Sequence, residues 1–214
     1  MRFQNFNKLL LSIIAVVFAF SGSNSLSAQD VFEEHYEDGK LKMKGQTDND
    51  VKKGEWSFYY PDGSLSATEN YKNGLLDGES LNYDFEGKLI SREYWEDDLK
   101  EDSAYYYYSN GQLEKAGKYQ DGMYQGKWHF YHENGNLKRI GIYKSGLPDG
   151  LWEIYNEEGV LIQKGRFVEG KEQGEWRFYR DDGSLEYSGN YEKGERVGKW
   201  YFFTEKGKKK RWKY

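Results

Sequence analysis

The sequence comprises 214 residues with a net charge of −5 and contains no cysteine. The acidic balance disfavours nonspecific nucleic-acid binding, which depends on Lys and Arg neutralising phosphates. The absence of cysteine excludes disulfides, thiolate metal sites and the acylated cysteine of a lipoprotein, so the fold must depend on packing. Because 18% of the residues are aromatic, rings carry much of the apolar surface.

The first 28 residues have the pattern of a secretory signal peptide. Arg2 and Lys8 give a positive start, an apolar run follows from Leu9 to Phe20, and small residues precede a cleavage point after Ala28. The apolar run is too short to span a bilayer comfortably. We therefore expect residues 1–28 to be removed and the protein to be exported to the periplasm, cell surface or exterior, without an integral membrane anchor. An uncleaved N-terminal anchor is the alternative.

The remaining chain, residues 29–214, repeats itself every 24 residues without insertion or deletion, apart from a shortened last copy. Eight units begin at positions 30, 54, 78, 102, 126, 150, 174 and 198. Glycine stands at the tenth position of every unit, at Gly39, Gly63, Gly87, Gly111, Gly135, Gly159, Gly183 and Gly207. A fixed period of this size is typical of a repeat array rather than a closed globule.

The unit that begins at Gly174 predicts a β-hairpin. Trp176 and Phe178 are two residues apart, which is strand periodicity, and Asp182-Gly183 is a typical tight-turn dipeptide. A two-residue loop here keeps the rings on one face, whereas a three-residue loop would reverse the faces of the return strand. Proline at Pro61, in the equivalent turn of another unit, instead suits a type I turn with a bulge.

The two-residue loop predicts specific cross-strand pairs. Phe178 should face Tyr187, and Trp176 should face Gly189, whose lack of a side chain leaves room for the indole. A second turn around Gly194 again places glycine where positive φ is needed. The predicted fold is therefore all-β, an elongated single-layer antiparallel meander of eight hairpins.

A family resemblance is carried by the run Gly189-x-Tyr191-x-x-Gly194-x-x-x-Gly198-x-Trp200, which is similar to the MORN motif. The fuller unit, with Trp-x-Phe-Tyr and Asp-Gly-x-Leu, resembles the MORN-repeat variant of proteins labelled YwqK-type antitoxins. The resemblance covers the chain from residue 30 onward. It implies a hairpin array that serves as an interaction scaffold for proteins or lipid headgroups and, for the YwqK group, neutralises toxins.

Two kinds of position are candidates for binding. The first is a column of indoles on one face, one from each regular unit: Trp56, Trp128, Trp152, Trp176 and Trp200. These rings either form the core of the sheet or present an apolar strip to a partner. The second is the irregular middle, where Ser80 and Ala104 replace tryptophan and an acidic stretch follows, with candidate residues Trp95, Glu96, Asp97 and Asp98. A decayed pair of repeats is the plainer interpretation of the middle.

The terminal units deviate in ways typical of caps, which keep an end strand from pairing with another molecule. The last unit also holds a basic group that offers an alternative, a patch for acidic lipid or polysaccharide: Lys206, Lys208, Lys209, Lys210, Arg211 and Lys213, with Trp212 and Tyr214. Three histidines, His35, His129 and His132, have no metal-site spacing, and no sequence motif indicates catalysis.

The sequence thus predicts an exported scaffold that has no enzymatic activity, binds no metal or cofactor, and binds a protein partner. The first alternative is a module that binds carbohydrate or lipid headgroups through the aromatic face. The second is the antitoxin-like role implied by the family resemblance.

Overall fold

The computed structural model describes residues 30–213, which form one antiparallel sheet of 18 strands and contain no helix. Strands that are joined by a turn pair with each other, so the chain runs as a meander from one end of the sheet to the other. This arrangement confirms the predicted all-β antiparallel fold. The predicted signal peptide, residues 1–28, lies outside the described residues.

The strands in chain order are β1 (Asp30–His35), β2 (Leu41–Asp48), β3 (Val51–Tyr59), β4 (Leu65–Lys72), β5 (Leu75–Leu76), β6 (Gly78–Tyr83), β7 (Leu89–Glu96), β8 (Leu99–Lys100), β9 (Asp102–Tyr107), β10 (Leu113–Gln120), β11 (Met123–Tyr131), β12 (Leu137–Lys144), β13 (Leu147–Tyr155), β14 (Leu161–Val168), β15 (Lys171–Tyr179), β16 (Leu185–Glu192), β17 (Glu195–Phe203) and β18 (Lys209–Trp212).

Eight hairpins predict sixteen strands, and the two additional strands arise in the irregular middle. A nine-residue strand such as β11 or β15 enters each regular hairpin. In the middle that strand is interrupted. It forms two consecutive segments, β5 and β6 in one unit and β8 and β9 in the next. The interruptions fall at Asp77 and Glu101, whose backbone N–H groups donate to the carbonyls of Asn70 and Tyr94, each at 2.8 Å. Within the described residues, the strand splits only in the two units where Ser80 and Ala104 stand at the tryptophan position.

One edge of the sheet, here called the wide-turn edge, carries the three-residue loops at 37–39, 61–63, 85–87, 109–111, 133–135, 157–159, 181–183 and 205–207. In the unit beginning at Gly174, the N–H of Arg180 donates to Ser184 O, and the N–H of Gly183 donates back to Arg180 O, both at 2.9 Å. Gly183 has φ +80°, the left-handed conformation that closes a type I turn with a bulge. The predicted two-residue loop is therefore wrong.

The predicted cross-strand pairs nevertheless hold, because a register shift compensates for the longer loop. Trp176 pairs with Gly189 and Phe178 with Tyr187, and the register then slips by one residue before Tyr179 pairs with Leu185. The same slip recurs in the other regular units, for example between Phe58 and Tyr59. A bulge thus restores the ring-bearing face that a three-residue loop alone would have reversed.

The opposite edge, here called the tight-turn edge, carries two-residue turns at 49–50, 73–74, 97–98, 121–122, 145–146, 169–170 and 193–194. Both residues of each turn have positive φ, for example Lys193 at 52° and Gly194 at 89°. This is the type I′ geometry that matches the twist of a hairpin. The predicted positive φ at Gly194 is confirmed.

Hydrogen bonds between successive units run along both edges. On the wide-turn edge, the side chains of Tyr36, Tyr60 and Tyr108 each donate to a backbone carbonyl 23 residues further along the chain. His132 and Arg180 make the equivalent bonds. On the tight-turn edge, the second turn residue donates its N–H to a carbonyl of the preceding unit. We call the wide-turn series the inter-unit ladder.

The indole column forms the core of the sheet. Trp56, Trp128, Trp176 and Trp200 are at most 1% exposed, and Trp152 is partly buried. Each indole lies across a glycine of the preceding unit: a Cβ on Gly165 would lie 2.1 Å from Cδ2 of Trp176. Gly189 likewise makes room for Trp200. The predicted role of Gly189 as the seat of Trp176, its partner in register, is wrong.

Aromatic side chains also close both ends of the column. The ring of Phe32 in β1 lies 5.5 Å from the indole of Trp56, and Trp212 in β18 lies 6.1 Å from Trp200 and 4.9 Å from Tyr187. These contacts support the interpretation of both terminal units as caps. The lysines of the last unit remain exposed around its end.

Candidate functional site

The burial of the indole column decides what this face offers to a ligand. A tryptophan that stacks on a sugar must present one ring face to solvent, and four of the five candidate indoles present almost none. The glycine beneath each ring covers one face, and the other face is covered by Lys52 at Trp56, by Tyr124 at Trp128 and by Arg196 at Trp200. The column therefore stabilises the fold, and a binding surface has to be sought elsewhere.

The irregular middle contains a paired substitution that the sequence analysis missed. Glycine stands beneath the indole in five units, at Gly45, Gly117, Gly141, Gly165 and Gly189. Where Ser80 and Ala104 replace tryptophan, Glu69 and Glu93 replace that glycine. A glutamate side chain thus takes the space an indole fills in the regular units. Comparing positions eleven residues apart along the array would have revealed the correlation.

Glu93 organises a buried polar cluster in the middle of the sheet. Its Oε1 accepts hydrogen bonds from Lys100 Nζ and from Tyr106 Oη, each at 2.5 Å. Tyr106 Oη lies 3.1 Å from Tyr119 Oη, and Lys100 Nζ lies 5.3 Å from the ring centroid of Trp95. The carboxylate is 8% exposed. Removing one partner of such a buried pair would leave an uncompensated charge or donor, so the cluster ties Glu93 to its neighbours in the sheet.

A second cluster repeats this arrangement around Glu69. Tyr71 Oη donates to Glu69 Oε2 at 2.5 Å, and Lys52 Nζ lies 3.3 Å from the same phenol. Lys52 also lies over the rings of Trp56 and Phe58, at 4.6 and 4.8 Å from their centroids. Desolvation lowers the pKa of Lys52. The cation therefore belongs to the packing of the aromatic column.

Because both clusters bury phenols, we expect the protein to unfold at alkaline pH. Burial, assisted by the neighbouring carboxylates, raises the pKa values of Tyr71 and Tyr106 well above their ordinary value. Burial also raises the pKa of Tyr119. The unfolded chain loses these phenol protons near pH 10 while the folded chain retains them, so stability should fall as pH rises above 10. Phenolate absorbance and circular dichroism, followed together, should show these tyrosines ionising only as the strands are lost. Complete ionisation of all tyrosines with an intact β spectrum would contradict this.

The candidate residues from 95 to 98 lie at one tight turn and do not converge on a common point. Asp97 and Asp98 are the two turn residues, and Asp98 Oδ1 accepts the N–H of Leu76 at 2.7 Å. Trp95 is partly buried beside Lys100, and Glu96 is exposed. Within residues 30–213, no group of three or more His, Asp or Glu side chains could hold a metal ion.

The described histidines have separate environments. His129 is partly buried on β11, and desolvation lowers its pKa. His132 lies at the wide-turn edge, where its Nε2 is 3.0 Å from Tyr155 O. His132 therefore belongs to the inter-unit ladder.

An exposed aliphatic row follows the tight-turn edge. Immediately after each of the first five tight turns stands a large aliphatic side chain, 39–53% exposed, and we call this row the aliphatic ridge: Val51, Leu75, Leu99, Met123 and Leu147. The next two units place Lys171 and Glu195 at this position, so the ridge ends there. A contiguous exposed apolar surface of this kind is typical of an interaction site.

Three of these five turns carry aspartates, all exposed: Asp50, Asp97, Asp98 and Asp121. Exposed lysines lie opposite two ridge residues, Lys72 opposite Leu75 and Lys144 opposite Leu147. The aspartates that sequence analysis placed in the irregular site therefore border the ridge beside Leu99.

Four stretches match the family described as MORN repeat variant, residues 52–73, 124–145, 148–169 and 172–193. The chain is a MORN-repeat protein. Each matched stretch of this MORN-repeat protein begins two residues after a tight turn and ends at the first residue of the next one. The matches omit the stretch 74–123, where Ser80 and Ala104 replace tryptophan, whereas Glu69 lies inside the first match. No helix within residues 30–213 of this MORN-repeat protein could cross a membrane.

No curated protein matches the sequence of this MORN-repeat protein. Many solved structures match the chain, and two of them are as follows. The first is the crystal structure of TcdB2-TccC3-Cdc42, at 15% identity and TM-score 0.23, covering 84% of this chain and 12% of that one. The second is a protein of unknown function from Bacteroides fragilis, at 11% identity and TM-score 0.12, covering 87% of this chain and 91% of that one. The MORN-repeat protein thus spans about one eighth of the first structure's chain.

Proposed function

We propose that this MORN-repeat protein is an exported, noncatalytic scaffold that binds a protein partner along the aliphatic ridge. One observation carries the proposal: five successive units expose a large aliphatic side chain at the same place, while four of the five indoles of the column are buried. Leaving an apolar row in water costs solubility, and a partner that covers it removes that cost.

The buried carboxylates support a noncatalytic role. Glu93, the most buried acid, is held by Lys100 and Tyr106, and Glu69 is held by Tyr71. A general acid or base needs to reach a substrate, whereas these carboxylates are engaged by neighbouring side chains of the sheet. The N-terminal pattern of residues 1–28 supports export.

The carbohydrate and lipid alternatives draw different support from the structure. Burial removes the indole column as a stacking platform for sugars. The exposed lysines of the last unit keep acidic lipid as a secondary candidate ligand, since clustered lysines attract anionic surfaces. The toxin-neutralising role stays a prediction of the family resemblance.

Crosslinking in the source cells tests the proposal. We expect proteins crosslinked to the wild type to be lost, by about tenfold or more, from a variant with Leu75→Ser and Leu147→Ser, because apolar anchors dominate such interfaces. Ile90→Ser is the matched control, since Ile90 is 36% exposed but follows a turn of the wide-turn edge. Quantitative mass spectrometry of the captured proteins provides the measurement.

Circular dichroism should show that both variants fold, because the substituted side chains are exposed. Equal capture by the wild type and the ridge variant would show that the ridge is not the interface. If the crosslinked proteins are lost from Ile90→Ser but retained by the ridge variant, the interface lies on the wide-turn edge.

A further inference from the structure

The two ends of the sheet carry opposite charge. Residues 30–38, which contain β1 and most of the loop after it, hold five acidic residues and no Lys or Arg. Residues 205–213, which contain β18 and most of the loop before it, hold six Lys or Arg residues and one Glu. The acidic end of one copy is therefore attracted to the basic end of another, whereas two identical ends repel.

Lysines on the inner side of β1 only partly offset the acidic end. Lys42 Nζ lies 2.6 Å from Glu34 Oε1, and Lys40 Nζ lies 3.3 Å from Asp38 Oδ2. Lys44 stands on β2, opposite β1 in register. All three lysines lie on or next to the second strand, so the acidic residues of β1 are nearer to any strand that pairs with its outer edge.

Both end strands have an outer edge without a strand partner in the described part of the chain. Within residues 30–213, β1 pairs only with β2, and β18 pairs only with β17. The rings of Phe32 and Trp212 close the aromatic column, whereas the backbone edges of these strands are a separate surface. An edge of this kind pairs readily with a further strand unless charge or shape prevents it.

The repeat makes the two edges complementary in direction. β1 is the first strand of a hairpin and β18 is the second. Placing the β1 of another copy after β18 therefore preserves the alternation of antiparallel strands found throughout the sheet. At the regular boundary between β16 and β17, Tyr187 pairs with Phe202 and Ser188 pairs with Tyr201. A contact between β18 and β1 can follow the same register.

Continuing that register places unlike charges opposite each other. Lys210 takes the place in β18 that Tyr187 has in β16, because both pair with the phenylalanine at the fifth position of their own unit. The partner of this place in the next unit is again the fifth residue, which in the first unit is Glu34. By the same rule, Arg211 faces the fourth residue, Glu33. Opposite-charge pairs of this kind stabilise neighbouring strands.

We propose that copies of this chain assemble head to tail, with the basic β18 of one copy adding to the acidic β1 of the next. The contact continues the antiparallel sheet from copy to copy, and the cap rings at the two ends adjoin. Pairing between identical ends would place like charges opposite each other, so charge disfavours it. Because the two surfaces differ, the contact gives chains or rings of copies instead of a two-fold dimer. It does not involve the aliphatic ridge.

Engineered cysteines test the register, since the natural chain contains none. In the source cells, the full chain with Glu33→Cys and Arg211→Cys should form a ladder of disulfide-linked multimers after mild oxidation, visible on a non-reducing gel. Either cysteine alone should give no ladder. The matched control is Glu158→Cys with Arg211→Cys, because Glu158 is exposed on a wide-turn loop away from both end strands. An equal ladder from the control, or dimers from Arg211→Cys alone, would overturn the head-to-tail contact.

Charge reversal tests the same contact in protein purified from the source cells. Lys210→Glu with Arg211→Glu should raise the concentration at which the protein assembles by about tenfold or more in sedimentation experiments. Adding Glu33→Lys and Glu34→Lys to this variant should restore assembly, and circular dichroism should show the same β spectrum throughout. Assembly of the first variant at the wild-type concentration, or no recovery in the fourfold variant, would contradict the proposal.

The ridge variant separates this contact from the proposed function. With both ridge leucines replaced by serine, the chain should lose its crosslinked partner proteins but assemble at the wild-type concentration. Loss of assembly in the ridge variant would place the contact between copies on the tight-turn edge and overturn the end-to-end pairing. Failure of the charge-reversal test would leave the ridge as the site for a protein partner.

Discussion

Replacing Trp128 with alanine is expected to lower the free energy of unfolding by about 3–5 kcal/mol. The indole is completely buried, stacks on Tyr124 at 4.0 Å and donates its Nε1–H to Lys118 O at 2.9 Å. Its removal opens a cavity above Gly117 and leaves that carbonyl without its donor. Urea unfolding followed by circular dichroism measures the loss without relying on tryptophan fluorescence.

Phe85→Ala is the matched control for the loss of a large ring. Phe85 is 66% exposed, although its ring stacks on Tyr60 at 3.9 Å between centroids. The expected loss is below about 1.5 kcal/mol, the range of a single aromatic pair. Equal losses for the two variants would contradict the assignment of the indole column as the core.

Replacing Glu93 with alanine is expected to cost about 3 kcal/mol. The substitution leaves Lys100 without its carboxylate and Tyr106 without its acceptor, in a region where both are largely desolvated. The cost lies at the lower end for a broken buried pair because Lys100 is 28% exposed. The same urea measurement applies.

The paired substitution makes this prediction sharper. Ala104→Trp alone should destabilise the sheet, because the new indole would collide with Glu93. In the next unit, the indole of Trp128 would collide in the same way with a Cβ on Gly117. Combined with Glu93→Gly, it should recreate a regular unit, with Lys100 over the new indole as Lys52 lies over Trp56. The double-mutant cycle should give a favourable coupling of about 1–3 kcal/mol. Additive effects would show that the two positions are independent.

The fixed period made the fold predictable. A repeat without insertions places every hairpin in the same register, and the alternation of Trp176 and Phe178 fixes the ring-bearing face. The loop length was not predictable in this way, because a register shift beside Phe178 cancels the effect of the extra loop residue on the inner pairs. Because the extra loop residue and the register shift cancel, either loop length gives the same hydrophobic pattern.

The candidate surfaces were harder to predict. Whether an indole is buried depends on the glycine of the preceding unit, a contact between units rather than within one. The ridge is visible in the sequence as a column from Val51 to Leu147, but a residue beside a turn can lie on either face. The structure is needed to show that Val51 pairs with Asp48 directly across the tight turn. The equivalent residues of the other units therefore also lie at the tight-turn edge.

The inter-unit ladder makes the array modular in length. At five unit boundaries a rung takes its donor from one unit and its acceptor carbonyl from the next, 23 residues further along, with Tyr36, Tyr60, Tyr108, His132 or Arg180 as the donor. Duplication or loss of a whole 24-residue unit keeps this spacing, whereas a change of any other size breaks the register. The length of the tight-turn edge can therefore change in steps of one unit, about 9.6 Å each, without redesign of the packing inside a unit.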